Sequence, residues 1–243
     1  MEKAVPHKTD PLAIASDFAA DLRKTYQVNL QSVLLVGSAA RGDFIAGKSD
    51  INTLVVLSME GMDWLEKSFD VLQKYTRRRL AIPHFITQMS ISNSLDAFPL
   101  EFLDFQTFHK VILGGDPLAE IRIPKDAIRL QVEREARGKL FLLRQGFAGH
   151  AGDDKKLRDI LCHAVGAFTA IFQGILALHN NPIPMERWAL FYAASTLAGF
   201  SPTPFHQILE IKQGKKEKNA RVIFKEMLRA TEAIVQWVDQ FNT

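Results

Sequence analysis

The apolar residues of this chain change their spacing near residue 122, and this change constrains the fold more than any other feature. Before residue 122, short runs rich in β-branched and other apolar residues alternate with helical segments. After it, apolar residues recur only at the three- and four-residue spacing of helices. The sequence therefore predicts two domains, with a sheet in residues 1–122 and helices alone in residues 123–243.

The first domain is predicted to be an α+β unit, a small mixed sheet with helices packed on it. A helix is expected over residues 11–26, where Pro11 suits the first turn, and a longer one over 62–79. A further short helix is expected near 92–97. The predicted strands cover residues 32–37, 50–57, 84–90 and 100–105.

The second domain is predicted to be an antiparallel bundle of four or five helices. Apolar stripes over 128–147 and 223–241 define its first and last helices. The helices between them are predicted over 160–178, 185–198 and 203–212.

Residues 160–178 raise the question of a membrane, because they carry no charge over a length close to the ~20 residues of a spanning helix. His163 and Gln173 interrupt the stretch, and amphipathic segments surround it. We therefore interpret it as a buried helix of the bundle. Small residues that recur every four positions, at Gly166, Ala170 and Gly174, would let another helix approach closely.

Composition narrows the functional classes further. The net charge of +3 does not demand a nucleic-acid partner, and no aromatic residues interleave with the basic run at 212–221, which we interpret as a solvated connector. The single cysteine, Cys162, cannot form an internal disulfide. The first 18 residues lack the apolar core of a signal peptide. We expect a cytoplasmic protein that contacts neither a membrane nor a nucleic acid.

The most informative stretch, residues 33–57, joins the first two predicted strands. The first of these strands ends at Gly37 and Ser38, where a short helix is expected to begin. Glycine permits the tight turn, and the free backbone N–H groups with the Ser38 hydroxyl would face an anion such as a phosphate. Arg41, one turn later, could add a planar charged fork to the same phosphates.

Two oxygen-bearing side chains open the second strand. The chain turns at Ser49 and enters the strand with Asp50 and Asn52. Positions two apart on a strand point to the same face, so both side chains should lie beside the phosphate turn. Carboxylate oxygens suit Mg²⁺, which proteins usually hold with one or two carboxylates and the phosphates of a substrate.

This stretch resembles the signature of the DNA polymerase β-like nucleotidyltransferase superfamily, in which Gly-Ser and a nearby Arg-Gly precede Ser-Asp-x-Asp on the next strand. The sequence is similar to the small-molecule branch, which includes the aminoglycoside and minimal nucleotidyltransferases. The resemblance is concentrated in residues 33–57 and is weaker at 99–105, PLEFLDF. A helical C-terminal half is also common in that superfamily.

The resemblance implies roles for particular residues. Asp50 and Glu101 would be catalytic carboxylates that bind Mg²⁺, and Asn52 stands where the family has its second metal-binding Asp. Glu101 would be carried by the predicted strand 100–105, whereas Asp104 would point to the other face and be either structural or at the rim of the site. The residues implied to bind the nucleotide are Gly37, Ser38, Arg41 and Ser49.

The reaction implied is attack by the hydroxyl of an acceptor, a small molecule, on the α-phosphorus of a nucleoside triphosphate (NTP), with release of pyrophosphate. Asn52 removes one negative charge, and two outcomes stay open: an enzyme that uses as few as one metal ion, or a nucleotide-binding homologue without turnover. A third hypothesis makes the chain act on a macromolecule, as an AMP-transferring regulator or a toxin–antitoxin component. A homodimer with the acceptor pocket near its interface would suit the family.

Several residues carry less weight. Glu101, Glu133 and Glu135 are candidates for the general base, although the last two are explained more simply by a solvated helix face. The seven histidines show no metal-ligand spacing. Cys162 lies in an apolar helix and is interpreted as an inert small side chain.

Overall fold

The computed structural model describes residues 10–215 and 219–242, which form two compact units. The first unit comprises residues up to 95 together with 104–122. The second comprises residues 96–103 together with those from 123 onward. The short segment 96–103 therefore belongs to the second unit, although the sequence places it in the first domain.

Two of the sequence expectations fall on residues outside this description. The absence of a signal peptide rests in part on residues 1–9, and the solvated connector includes residues 216–218. Both stay predictions.

A four-stranded sheet forms the centre of the first unit, in the strand order β3-β2-β1-β4. β1 pairs in antiparallel fashion with β2 and β4, and β2 pairs in parallel with β3. The predicted small mixed sheet is therefore confirmed. The strands are β1 Leu30–Val36, β2 Asn52–Leu57, β3 His84–Ile86 and β4 His109–Gly114.

Short helices accompany the sheet, and the longest of them begins and ends where the sequence predicts. In α1 the Asp10 carboxylate accepts a hydrogen bond from the Leu12 amide at 2.9 Å, and Pro11 occupies the first turn. The buried side chains of α1, Phe18 and Leu22 among them, join the core around β1. The helices are α1 Pro11–Tyr26, α2 Ser38–Arg41, α3 Met59–Met62, α4 Phe69–Thr76, α5 Gln88–Ser92 and α6 Pro99–Thr107.

The long helix predicted over residues 62–79 is wrong. The chain instead forms α3, a 3₁₀ turn at Leu65–Ser68, and α4. The hydroxyl of Tyr26 donates to the carbonyls of Trp64 at 3.2 Å and Leu65 at 3.5 Å. These carbonyls are bonded by a side chain from α1, and the helix is interrupted at this point.

The third strand is shorter than predicted, because a helix begins inside the segment 84–90. The Thr87 hydroxyl accepts a hydrogen bond from the Ser90 amide at 3.0 Å and thereby caps α5. The short helix expected near 92–97 accordingly lies four residues earlier in the chain, at Gln88–Ser92.

The fourth predicted strand, residues 100–105, is also wrong, because this segment lies within the helix α6. Pro99 suits the first turn of a helix. Phe102 and Leu103 are adjacent and both buried, which a strand with alternating faces does not provide but a helix does. The fourth strand of the sheet is β4, which follows α6.

A cluster of polar side chains links α1 to α4. The Asp21 carboxylate accepts hydrogen bonds from Lys74 at 2.7 Å, from Lys24 at 2.9 Å and from the hydroxyl of the buried Tyr75 at 2.9 Å. Lys74, with smaller contributions from Lys24 and Tyr75, holds the pKa of Asp21 well below its usual range. Burial, followed by the nearby Asp21 carboxylate, raises the pKa of Tyr75.

We expect Asp21→Asn to lower the free energy of unfolding of the first unit by about 1–2 kcal/mol at pH 7, because it removes the charge shared by three hydrogen bonds. The folded-state pKa lies below the unfolded-state value of about 3.9. The stabilisation is therefore present above that value and is lost as the pH falls through the folded-state pKa. Urea unfolding of both proteins at pH 7 and pH 3 measures the difference, which should shrink at pH 3.

The matched control for this prediction is Asp17→Asn. Asp17 lies on the same helix and forms an exposed ion pair with Arg78 at 3.0 Å. Its substitution should change the stability by less than about 0.5 kcal/mol. A loss in Asp21→Asn that is the same at both pH values would contradict the role of the charge.

The second unit contains five long helices and the first residues of α6. Its core includes the fully buried rings of Phe168, Phe172, Phe191 and Phe205. The predicted helical bundle is therefore confirmed, and it contains five helices within the described residues. They are α7 Lys125–His150, α8 Asp154–Leu178, α9 Arg187–Ala198, α10 Thr203–Lys212 and α11 Ala220–Gln240.

The uncharged stretch of the sequence lies in α8, which packs against α7, α9, α10 and α11. Among the described residues, α8 is the one helix long and apolar enough to cross a membrane, and 56% of its most apolar window is buried inside the protein. A core helix passes the same test. A Cβ at Gly174 would lie 2.4 Å from the Val132 side chain, so α7 approaches closely at this glycine, whereas Gly166 has open space around it.

Candidate functional site

The phosphate turn and the metal-type side chains predicted from the sequence lie at one edge of the sheet. β1 ends at Val36, whose partner on β2 is Asn52. Because the two strands are antiparallel, the turn after β1, Gly37–Ser38, lies beside the residues that lead into β2. The structure thus places this turn next to Asn52 within the first unit.

The backbone at Gly37 requires glycine. Its φ is +68°, in the left-handed region that other residues rarely adopt. A Cβ at this position would lie 3.2 Å from Nδ2 of Asn52, so the turn and the Asn52 amide are in close contact. Gly37 also caps α2, since its carbonyl accepts hydrogen bonds from the amides of Ala40 and Arg41.

Ser49 helps to shape the loop that leads to Asp50. Its hydroxyl accepts a hydrogen bond from the Ile45 amide at 3.0 Å, and its own amide donates to the Ile45 carbonyl at 2.8 Å. The hydroxyl therefore has a structural partner within the loop. Its assignment to nucleotide binding stays a prediction.

The Asp50 side chain is 60% exposed and is not isolated. Its carboxylate accepts a hydrogen bond from the Arg79 guanidinium at 2.9 Å. We did not predict Arg79 as a site residue from the sequence. The signal available there, three consecutive arginines at 77–79, is explained equally well by the negative C-terminal end of a helix.

Arg41 is engaged within the first unit. Its guanidinium forms an ion pair and a hydrogen bond with Asp104, and its charged end lies 4.7 Å from the centroid of the Phe108 ring. The side chain of Arg41 is 12% exposed, and its Nε is buried without a hydrogen-bond partner. Asp104 is therefore a structural partner of Arg41. The predicted contact of Arg41 with phosphates would have to coexist with this pair.

Glu101 lies on the helix α6 rather than on a strand, and it belongs to the second unit. There its carboxylate accepts a hydrogen bond from Nε2 of Gln131 at 2.9 Å. The Oε1 atom of the same buried Gln131 accepts a hydrogen bond from the Leu100 amide at 2.9 Å. Because Asp50 and Asn52 belong to the first unit, the role of Glu101 as a third metal ligand stays a prediction.

The strand that runs parallel to β2 is β3, and its residues are His84, Phe85 and Ile86. β3 carries no carboxylate, and the imidazole ring of His84 lies 5.9 Å from the ring of Phe105. The described residues contain no cluster of three His, Cys, Asp or Glu side chains able to hold a metal ion.

The donors at the sheet edge nevertheless fit one Mg²⁺ ion. Asp50 supplies an exposed carboxylate. The side-chain amide of Asn52 lies beside the Gly37 turn, with Nδ2 as its nearest atom, and its oxygen would be the metal ligand. Mg²⁺ is commonly held by one or two carboxylates with substrate phosphates completing its ligands. One charged donor at this edge does not provide the negative charge that a pair of metal ions needs.

Glu133 and Glu135, the other candidates for a general base, form ion pairs along α7. Glu133 contacts Arg129 at 3.1 Å and Arg137 at 2.9 Å, and Glu135 contacts Lys139 at 3.6 Å. All three pairs connect residues four apart on one helix. The arrangement favours the structural interpretation of both glutamates.

The chain shares its fold, a mixed sheet followed by a helical bundle, with a solved nucleotidyltransferase. Among solved structures, the chain is similar to the spectinomycin adenyltransferase of Enterococcus faecialis, which was crystallised with ATP and spectinomycin. The TM-score is 0.53 and the sequence identity 14%, over 93% of this chain and 100% of the other. At this identity the likeness establishes the fold and nothing finer. No protein-family model and no curated protein sequence matches this chain.

Proposed function

We propose that this protein is a nucleotidyltransferase that moves a nucleoside monophosphate from an NTP to the hydroxyl of a small acceptor, with release of pyrophosphate. The fold supports the class of reaction, since the solved neighbour is an adenyltransferase bound to ATP and to a small molecule, spectinomycin. We propose the same kind of partners here, an NTP and a small hydroxylated compound, and a cytoplasmic location.

The observation that carries this proposal is the register of β1 and β2. It brings the Gly37–Ser38 turn, to which we assign phosphate binding, next to Asn52, two residues after Asp50. A triphosphate needs donors and positive charge at one place, and a metal ion needs oxygen ligands at the same place. We assign both the backbone donors and the oxygen ligands to this edge of the sheet.

The residues at this edge of the sheet would have two roles, phosphate binding and metal binding. The turn at Gly37 and Ser38 would bind and orient the triphosphate through backbone N–H groups and the Ser38 hydroxyl. The Asp50 carboxylate and the Asn52 amide oxygen would hold Mg²⁺. When bound, Mg²⁺ would neutralise the charge that develops on the phosphates as the acceptor hydroxyl attacks. Asn52 contributes no charge, which favours a single ion.

Calorimetric titration of ATP, GTP, CTP and UTP, with Mg²⁺ and with EDTA, tests this function. We expect binding that requires Mg²⁺ and that Asp50→Ala weakens by at least about tenfold, because a charged metal ligand is lost. Asp63→Ala, which removes an exposed carboxylate elsewhere in the first unit, is the control and should bind as the natural protein does. Full NTP affinity of Asp50→Ala in Mg²⁺ would count against the proposal.

A second candidate function is nucleotide binding without turnover. Two observations favour it: Asn52 stands in place of a carboxylate, and Asp50 is already paired with Arg79. This candidate predicts NTP binding that survives EDTA. It also predicts that Asn52→Asp gains no release of pyrophosphate with any acceptor, whereas the enzyme hypothesis predicts a gain with a suitable acceptor.

A further inference from the structure

Asp50 lies in the loop formed by residues 42–51. The Arg79 side chain donates hydrogen bonds to several residues near the end of this loop. Its Nε donates to the Ser49 carbonyl at 3.2 Å, and Nη1 donates to the Gly47 carbonyl at 3.1 Å. Its Nη2 donates to the Lys48 carbonyl at 3.1 Å and to Oδ1 of Asp50 at 2.9 Å. Four consecutive residues thus share one guanidinium.

This pattern uses almost all of the donors that arginine has. A guanidinium carries five N–H groups in a rigid plane, and four of them are used by the loop. A lysine, with three donors on a single nitrogen, does not reproduce such a planar fork. Arg79 therefore has little donor capacity left for a phosphate, and its contacts are those of a residue that builds the site.

The backbone near Arg79 strengthens the same connection. The amide of Ile51 donates to the Arg79 carbonyl at 2.9 Å, and the amide of Ala81 donates to the Ile51 carbonyl at 2.9 Å. Arg79 itself has a φ of +66°. The main chain around position 79 thus fixes the end of the loop where Asp50 enters β2.

The charge of Arg79 has a separate effect. Asp50 is 60% exposed and Arg79 is 41% exposed, so their ion pair lies in water and opens at modest cost. While the pair is closed, the guanidinium neutralises the carboxylate that a divalent cation would bind. A cation that approaches Asp50 competes with Arg79 for it.

We propose that Arg79 is a positioning residue that shapes loop 42–51 and is also the resident counter-ion of Asp50, which a divalent cation must displace. This proposal rests on the metal-binding role proposed for Asp50. In the nucleotide-free protein, the pair keeps the affinity of Asp50 for a metal ion low. The ion then enters together with the NTP, whose phosphate oxygens supply the additional ligands.

Binding of Mn²⁺ to the nucleotide-free protein, followed by electron paramagnetic resonance, tests the counter-ion role. We expect Arg79→Gln to bind Mn²⁺ about tenfold more tightly than the natural protein, because the competing charge is gone. The double variant Asp50→Asn/Arg79→Gln should lose this gain, which locates the ion at Asp50. The matched control is Arg78→Gln, which breaks the pair with Asp17 and should leave Mn²⁺ binding unchanged.

Limited digestion with a lysine-specific protease tests the positioning role. Lys48 is exposed in the loop, and its carbonyl is one of the acceptors of Arg79. We expect cleavage after Lys48 to be several times faster in Arg79→Gln and in Arg79→Lys than in Arg78→Gln. Arg79→Lys keeps the charge, so its Mn²⁺ affinity should stay within about threefold of that of the natural protein.

Two results overturn the proposal. If Arg79→Gln binds Mn²⁺ no more tightly than Arg78→Gln does, the counter-ion role is wrong. If Arg79→Gln and Arg79→Lys are cleaved after Lys48 at the same rate as Arg78→Gln, the positioning role is wrong. The NTP titration separates this proposal from the proposed function. Mg²⁺-dependent NTP binding without a Mn²⁺ gain in Arg79→Gln overturns the role of Arg79 alone. If Arg79→Gln gains Mn²⁺ affinity through Asp50 but the protein binds no NTP, the nucleotidyltransferase function alone is overturned.

Discussion

Gly114→Ala is expected to lower the free energy of unfolding of the first unit by about 3 kcal/mol or more. Gly114 is the last residue of β4 and is paired with Ser32 on β1. Its φ is +83°, a conformation that costs other residues about 1–2 kcal/mol. A Cβ there would lie 2.0 Å from the Gln31 carbonyl oxygen, so β4 would have to move away from the central strand.

Urea unfolding followed by the fluorescence of Trp64 measures this effect. Trp64 is the one tryptophan of the first unit, so the Trp188→Phe/Trp237→Phe background isolates its signal. Gly115→Ala is the matched control. A Cβ at Gly115 would have no heavy atom within 4 Å, and its substitution should change the stability by less than about 0.5 kcal/mol. Equal losses in both variants would contradict the register of β1 and β4.

Phe172→Ala is expected to lower the free energy of unfolding of the second unit by about 3–5 kcal/mol, the usual range for a buried phenylalanine. Phe172 is fully buried on α8. Its ring centroid lies 4.8 Å from that of Phe191, 5.0 Å from that of Phe205 and 5.2 Å from that of Phe200. These rings come from or lie beside α9 and α10, so truncation leaves a cavity where three helices meet.

Phe141→Ala removes the same atoms from an exposed position and is the matched control. Phe141 lies on α7 with 64% of its surface exposed, so little apolar area returns to water when it is truncated. We expect a change below about 1 kcal/mol. The fluorescence of Trp188 and Trp237 in a Trp64→Phe background reports on the second unit in urea. A similar loss in both variants would contradict the packing of Phe172 in the core.

The helices of the second unit were predictable because their signal is local and repeated. The stripe over 128–147 and the last stripe over 223–241 each contain several turns of a regular pattern. The structure places α7 and α11 on these segments. In the first unit, α1 was predicted with its bounds, since Pro11 marks its first turn.

The errors fall on short segments of the first unit whose structure depends on distant partners. At the break between α3 and α4, the Tyr26 hydroxyl of α1 donates hydrogen bonds to the carbonyls of Trp64 and Leu65. Residues 100–105 contain apolar and acidic residues that fit either a strand or a helix, and in the helix Leu100, Phe102 and Leu103 are buried. Local pattern does not distinguish the two when a segment is this short.

The candidate site divides in the same way. The Gly37 turn was predictable because glycine permits a tight turn at the end of a buried strand. Asp50 and Asn52 were predicted to open the second strand together, but β2 begins at Asn52 and Asp50 lies two residues before it. Arg79 was missed as a partner of Asp50, and so was the pair between Arg41 and Asp104. Glu101 was assigned to a strand that the chain does not form.

The sequence by itself determined the division into a sheet-bearing part and a helical part, the bundle helices, and the turn at Gly37. These features are encoded over a few neighbouring residues by periodicity and backbone freedom. Only the tertiary structure decided which charged groups meet. Arg79 is 29 residues from Asp50, and Arg41 is 63 residues from Asp104. Ion pairs form between side chains that the fold brings within a few ångströms, and nothing in the local pattern of either partner specifies the other.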